Sequence, residues 1–250
     1  MAHIARHDEI LKILSRLRKV SVQELTERLA VSEATIRKDL NVLEEMGYLT
    51  RTHGGALLAE DRKLEIPLFI REDKYLEEKQ AIARKGKELI REGDTIYLDS
   101  GSTNAILARE IRDMDLRVIC HSLEVMVALA DAPGIALISL GGSYRKDAGS
   151  FIGPLAVENL KHFQIQTCFI GTAGFSSTGI FSSQNIIEAQ LKNEVLKVSN
   201  RRIVITDHSK YNLTAFAVFA KAEDIDILIT DKQFEDSKTL MALGIEVVFA

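Results

Sequence analysis

The sequence predicts an α/β chain in two parts: a small helical unit closed by a β-hairpin, then a larger α/β domain on a mostly parallel sheet. Three observations carry this. Apolar residues in the first fifty positions recur at helical spacing, seven short apolar runs lie beyond residue 90, and the charged stretch between them holds Pro67, one of only three prolines in 250 residues. That length fits two domains. The expected boundaries are 1–58 for the first, 59–75 for a linker and 76–250 for the second.

Residues 1–49 read as helices throughout. Ile10, Leu11, Ile13, Leu14 and Leu17 follow the 3.6-residue period. A second helix begins at Ser21, where "SVQE" is a capping box: Ser21 caps the first turn and Glu24 reaches back to its backbone. Ser32 is the natural N-cap of a third helix running to about Met46, with Gly47 placed to end it. "YLTRTHGGALL" then reads as two short strands around a Gly54-Gly55 turn.

From residue 76 the texture changes. The runs "TIYLD" (95–99), "RVIC" (117–120), "ALISL" (136–140), "CFIG" (168–171), "RIVIT" (202–206), "DILIT" (226–230) and "EVVF" (246–249) alternate with helical stretches. Continuous apolar runs of this length suit strands covered on both faces, as in a parallel sheet between helices.

Composition sets limits on function. The chain is 46% hydrophobic and 27% charged, and no apolar run approaches the roughly 18 residues of a spanning helix. Its opening, "MAHIARHDEILKIL", is charged and helical, unlike a signal peptide. Cys120 and Cys168 sit in apolar runs as reduced, buried thiols. These features place the protein in the cytoplasm, away from membranes. No pair among Cys120, His121, Cys168 and His208 has zinc-ligand spacing, so neither a metal nor a cofactor is expected. The net charge of −4 hides an asymmetry: residues 1–58 carry 9 Lys+Arg against 8 Asp+Glu, and the excess acid lies beyond them.

The stretch "VSEATIRKDL", residues 31–40, is the most specific in the chain. On a helix, Ile36, Leu40 and Leu43 face one side; Ala34, Arg37, Lys38 and Asn41 face the other, with Thr35 near the leading end. Charge alone would mark a solvated face. Joined to a capped helix, a short turn and a following hairpin, it reads as a helix-turn-helix whose second helix enters the major groove. Arg37 can grip a guanine edge or a phosphate, Asn41 can read adenine, and Lys38 supplies a phosphate contact. Ser32 and Thr35 lie at the leading end, and Arg51 and His53 of the hairpin suit the backbone or minor groove.

These residues, with "LEEMGYLTRTHGGA", "IPLFIRED", "DSGSTN", "LGGSYR", "GTAGF" and "TDHSKY", resemble the DeoR/GlpR family of bacterial sugar-metabolism regulators over nearly the whole chain. The resemblance implies a winged helix-turn-helix followed by a sensor domain similar to the ribose-phosphate isomerase fold. It implies a DNA-reading helix at Ser32 to Asn41.

In the second domain, "YLDSGSTNAILAREI" is strand, turn and helix. Ser100, Gly101, Ser102 and Thr103 would present backbone N–H groups and hydroxyls to an anion at the helix N-terminus. Further candidates fall at strand ends, where open α/β sheets place ligands. Gly141, Gly142, Gly171 and Gly174 allow close backbone approach. Arg145 and Lys210 can balance phosphate charge, and Asp99 or Asp207 can accept from sugar hydroxyls. Glu188 and Lys192, one helical turn apart, form an i,i+4 pair. The resemblance puts that pair in the effector pocket and matches Lys210 to a phosphate-binding lysine of the isomerase relatives. It carries Ser122 over as well. Cys120 and His121 replace the first two residues of the family's usual Thr-Asn-Ser, so contacts there are not carried over.

The expected function is therefore sequence-specific transcriptional regulation, as a repressor of sugar-metabolism genes. A double-stranded operator and a phosphorylated sugar are its expected partners, and a homodimer or homotetramer its form. The competing reading is a sugar-phosphate isomerase with Glu188, Asp99 or Asp207 as base. No acid–base pair has a distinctive spacing, and the protein is expected not to be an enzyme.

Overall fold

The computed structural model describes residues 3–58 and 74–250. Residues 59–73, most of the expected linker with its "IPLFI" stretch, lie outside them. The chain divides into two compact units, Met1–Lys74 and Tyr75–Ala250.

The first unit contains α1 (His3–Leu17), β1 (Lys19–Ser21), α2 (Val22–Leu29), α3 (Glu33–Glu45), β2 (Leu49–Thr52) and β3 (Gly55–Leu58). Both halves of the Ser21–Glu24 capping box are present at α2. Ser32 caps α3, its Oγ accepting from Thr35 N at 3.3 Å. The helix ends in a Schellman motif: Tyr48 N donates to Leu43 O, Gly47 N donates to Glu44 O, and Gly47 takes the left-handed φ of 77°. Ile10, Leu14, Leu25, Ile36, Leu40 and Leu43 meet in one core with Val20, Leu49 and Ala56.

Two expectations need correction. Residues 1–49 are not helical throughout, because Lys19–Ser21 is a strand on β3, completing a sheet of order β1-β3-β2. The hairpin turn is His53-Gly54, since Thr52 pairs with Gly55. Gly55 is instead demanded by close approach. A Cβ there would lie 1.9 Å from Val20 O.

The second unit holds α4 (Leu76–Lys87), β4 (Thr95–Leu98), α5 (Ser102–Glu110), β5 (Leu116–Cys120), α6 (Leu123–Leu129), β6 (Ile135–Ser139), β7 (Ser143–Arg145), β8 (Ser150–Ile152), α7 (Pro154–Leu160), β9 (Ile165–Ile170), β10 (Gly174–Phe175), β11 (Ile180–Ser183), α8 (Ile186–Lys197), β12 (Ser199–Ile205), β13 (Ala217–Lys221), β14 (Ile227–Thr230), α9 (Ser237–Ala242) and β15 (Glu246–Phe249). All seven apolar runs become strands of one parallel sheet, order β15-β14-β12-β9-β4-β5-β6. On one face Ile82, Leu107, Val125 and Leu129 of α4, α5 and α6 pack over Ile96, Leu98, Val118 and Phe169. On the other, Ala156, Leu160, Leu191 and Val195 of α7 and α8 join Phe175, Phe181 and Phe219 over Tyr97, Cys168, Ile170 and Val204. Those three phenylalanines come from a small antiparallel sheet, β10-β11-β13, which the sequence reading did not anticipate, nor did it anticipate the β7–β8 hairpin.

The chain runs outward from β4 through β5 to β6, then returns to build β9, β12, β14 and β15 on the other side. The carboxyl ends of β4 and β9 thus flank the topological switch point, where open α/β sheets leave a crevice.

Candidate DNA-reading surface and effector site

On α3 the inward positions Ile36, Asp39, Leu40 and Leu43 are buried, while Glu33, Ala34, Arg37, Lys38 and Asn41 are exposed and Thr35 is half-buried. Among the described residues of its unit, nothing covers the polar face of this helix. Among the described residues, Arg37 makes only an exposed i,i+4 contact with Glu33 at 3.3 Å. The hairpin is tied to the helix at two points: Arg51 Nη1 donates to Asn41 Oδ1 at 2.5 Å, and Arg51 N to Glu44 Oε1 at 2.7 Å. His53 stands exposed at the hairpin tip.

Asp39, which sequence reasoning passed over as part of a charge run, points inward and is 0% exposed. It accepts from Arg6 Nε and Nη2 (2.5 and 3.0 Å) and lies 3.0 Å from His7 Nε2. Burial alone would raise its pKa, but the bonds from Arg6 and His7 hold it below the usual carboxylate range. Arg6 is raised in turn by its bond to Asp39. This cluster fastens α3 to α1.

At the switch point of the second unit, Asp99 follows β4 and is fully buried. Its Oδ2 accepts from Gly171 N at 2.9 Å and from Lys192 Nζ. Lys192 also donates to Gly171 O at 2.8 Å, and its Nζ lies 5.5 Å from the centre of the Phe219 ring. Glu188 accepts from Ser100 Oγ (3.1 Å), Ser183 Oγ (2.8 Å) and Arg145 Nη1 (3.4 Å), with Lys192 3.8 Å away. Asn185 caps α8 through bonds to Ile187 N and Glu188 N, fixing Glu188 in its first turn.

The start of α5 meets the requirements of an anion cradle. Gly101 adopts φ 117°, and the helix N-terminus has no side-chain cap, so the first N–H groups of Ser102 and Thr103 remain uncapped. Asp99, Ser100, Arg145, Gly171, Glu188 and Lys192 are thus linked by contact, beside a cradle of Gly101, Ser102 and Thr103.

The remaining candidates have local structural duties. Ser122 caps α6 through a bond from Val125 N. Gly142 has φ 117°, and a Cβ there would meet Ile152 O at 2.6 Å; Gly141, at φ 66°, donates to Ser139 Oγ. Gly174 is pressed against Leu213, where a Cβ would lie 2.3 Å from the carbonyl oxygen. Asp207 Oδ1 accepts from Ser209 N and Oγ within the turn that carries the half-buried Lys210.

Three side chains at the switch point lay outside the sequence candidates: Ser183, His121 and Asn104. His121 is fully buried, with Nδ1 3.0 Å from Tyr97 Oη and Nε2 3.4 Å from Asp99 Oδ1. Burial lowers its pKa despite the nearby Asp99 and Glu188 carboxylates, so the ring is neutral. Tyr97, raised well above its ordinary value by burial, keeps its proton. The departure from the usual triplet at 120–122 was a signal that could have drawn attention to His121. Cys120 and Cys168 are buried free thiols, each pushed up to about 12 by burial and therefore unreactive as thiolates. Among the described residues no His/Cys/Asp/Glu group could hold a metal ion, and no helix is long and apolar enough to cross a membrane.

A helix-turn-helix unit with an uncovered polar helix, joined in one chain to an α/β unit with a charged crevice, is the layout of a DNA-binding transcriptional regulator. The DeoR-like helix-turn-helix domain matches residues 6–62 and the DeoR C-terminal sensor domain residues 74–232, and the chain belongs to the DeoR family. It is similar to the HTH-type transcriptional regulator GolR of Listeria innocua (33% identity, covering 93% of this chain and 95% of GolR). It is also similar to the transcriptional repressor AccR of Agrobacterium fabrum (32%; 90% and 88%) and the glycerol-3-phosphate regulon repressor of Escherichia coli (30%; 92% of both). Among solved structures, ribose 5-phosphate isomerase A of Methanocaldococcus jannaschii aligns with a TM-score of 0.40 at 19% identity over 53% of each chain.

Proposed function

We propose that this DeoR-family regulator is a repressor of sugar-metabolism genes, released from or held on its operator by a phosphorylated sugar bound to the second unit. The observation that carries the reading is the uncovered face of α3, with Arg37, Lys38 and Asn41 exposed opposite a buried Ile36, Leu40 and Leu43. Ser32 and Thr35 would meet the backbone at its leading end, and Arg51 and His53 would follow from the hairpin. A helix-turn-helix reads paired half-sites about one DNA turn apart, which calls for a homodimer or homotetramer acting on the cytoplasmic chromosome.

In the second unit the phosphate would sit on the α5 N-terminus at Ser100 to Thr103, with Arg145 and Lys210 as countercharges. Gly141 and Gly142 would let the backbone approach, and Asp99, Glu188, Lys192 and Asp207 would meet sugar hydroxyls. Ser122, Gly171 and Gly174 would shape the walls. Linkage then suffices for regulation, because an effector preferring one DNA-binding state shifts the population towards it. We read this site as binding without turnover, in keeping with the regulators among its relatives. Aldose–ketose conversion of any sugar phosphate would contradict that.

The test pairs an operator selected from genomic fragments with Arg37→Ala and a panel of phosphorylated sugars. Losing a bidentate base contact costs about 1–3 kcal/mol, whereas the Arg37–Glu33 pair adds only about 0.2–0.5 kcal/mol to folding. Operator affinity should therefore fall while the melting temperature holds. Unchanged affinity at matched salt refutes the assignment of α3, and a panel in which no sugar phosphate alters operator affinity refutes the effector.

A further inference from the structure

Among the described residues, four buried polar atoms at the switch point lack hydrogen-bond partners: Asp99 Oδ1, His121 Nε2, and Asn104 Oδ1 and Nδ2. Their residues are at most 1% exposed. Orphaned polar atoms at such depth are costly and ask for an occupant. The hydrogen-bond logic around His121 says which kind. The one hydrogen-bond partner of the buried Tyr97 hydroxyl among the described residues is His121 Nδ1, at 3.0 Å, and Tyr97 carries a proton that needs an acceptor. Tyr97 therefore donates to Nδ1, and the ring proton of the neutral imidazole sits on Nε2. Nε2 lies 3.4 Å from Asp99 Oδ1 without forming a hydrogen bond to it. A group bridging the two atoms from the side must accept from Nε2 and donate to a carboxylate.

A hydroxyl does both, its oxygen seated beside the pair at about 2.8 Å from each atom once the neighbouring side chains part to admit it. A phosphate monoester is largely dianionic at neutral pH, with few protons to donate, and its charge would meet that of Asp99. The Asn104 amide repeats the pattern, offering one donor and one acceptor; its Nδ2 lies 3.8 Å from where a Cβ on Gly171 would stand.

The geometry points to a hydroxyl-reading subsite, formed by His121, Asp99 and Asn104, that makes His121 a specificity-determining residue for a polyhydroxylated phosphate ester over phosphate alone. This rests on the effector reading above and deepens it. The phosphate cradle at α5 selects the charged end, and the buried trio selects the polyol end.

The test measures affinities of the full-length protein for inorganic phosphate, glycerol 3-phosphate, ribose 5-phosphate, 2-deoxyribose 5-phosphate, glucose 6-phosphate and fructose 1-phosphate. The variant is His121→Asn, whose short amide keeps an acceptor for Tyr97 but lacks an atom at Nε2. The expected result is a loss of about tenfold for the tightest sugar phosphate, with inorganic phosphate changed by less than about twofold. Equal changes for both ligands, or none, overturn the subsite while leaving the effector reading intact. A wild-type protein that binds none of the sugar phosphates removes both. Should the variant not fold, imidazole NMR of the wild type decides. The His121 Nε2–H resonance should move on saturation with the tightest sugar phosphate and stay put with inorganic phosphate. A resonance unmoved by both means the gap holds a buried water only, and the subsite is overturned.

Discussion

Replacing Asp39 by Ala tests how the reading helix is held. The carboxylate is fully buried and takes two bonds from Arg6 and one contact from His7, themselves 9% and 8% exposed. Removing it strands the Arg6 guanidinium where water cannot replace its partner, and breaking a buried pair from one side costs about 3–5 kcal/mol. A unit of this size has only a few kcal/mol to lose, at roughly 0.05–0.15 kcal/mol per residue. The first unit should therefore approach its unfolding midpoint while the second keeps its stability. Hydrogen exchange followed by mass spectrometry on the full chain reads this directly. At 1.36 kcal/mol per tenfold, amides of α1 and α3 should exchange at least about a hundredfold faster, with β4, β9 and β12 unchanged. Adding Arg6→Met should recover part of the loss, because the stranded charge then goes too. Acceleration below about tenfold, or equal acceleration in the central sheet, would refute the claim that this cluster anchors α3.

Two further outcomes follow from the second unit. Gly142→Ala must force a Cβ to within 2.6 Å of Ile152 O at φ 117°, whereas Gly153→Ala, at φ 108°, meets nothing within 4 Å. Strain of about 1–3 kcal/mol applies to both and the clash to the first alone, so Gly142→Ala should melt lower; equal melting temperatures would refute the close-approach argument. For pH, the native His121 pKa lies below its ordinary 6.5, so the unfolded chain takes up a proton near that pH which the folded chain refuses. Stability from this group is level above pH 6.5 and falls as pH drops below it. Thermal melts from pH 8 to 5 should show a shallower decline for His121→Asn, and an identical slope in both proteins would count against a buried neutral imidazole.

The seven parallel strands were legible because each is an unbroken apolar run, which burial on both faces explains for the inner strands, while the edge strands β6 and β15 are only partly buried. The shorter elements were not. Lys19–Ser21 is three residues long, and its strand character comes from pairing with β3; the strand β10 has only two residues and exists through β11. The same divide runs through the site. Asp99, Gly171, Glu188 and Lys192 could be nominated from strand ends and helical spacing, and they meet. Gly174 shared the strand-end signal, yet its lack of a side chain serves the Leu213 backbone. Asp39 and Lys38 are neighbours in one charge run, and only packing reveals that one turns inward. Asn104 is hidden in the same way, a polar residue in a helix whose first seven residues are all buried.

The Arg51–Asn41 bond would restrict the vocabulary of α3 as the proposed reading helix. Guanidinium groups only donate, so Asn41 must turn its carbonyl oxygen towards the hairpin, leaving its two amide hydrogens for DNA. Adenine recognition by asparagine uses both ends of the amide, and here one of the two lone pairs of the oxygen is already engaged. A purine N7, a guanine O6 or a phosphate oxygen suits what remains. If α3 reads DNA as proposed, a side chain ten residues downstream thus edits which letter the helix can pronounce.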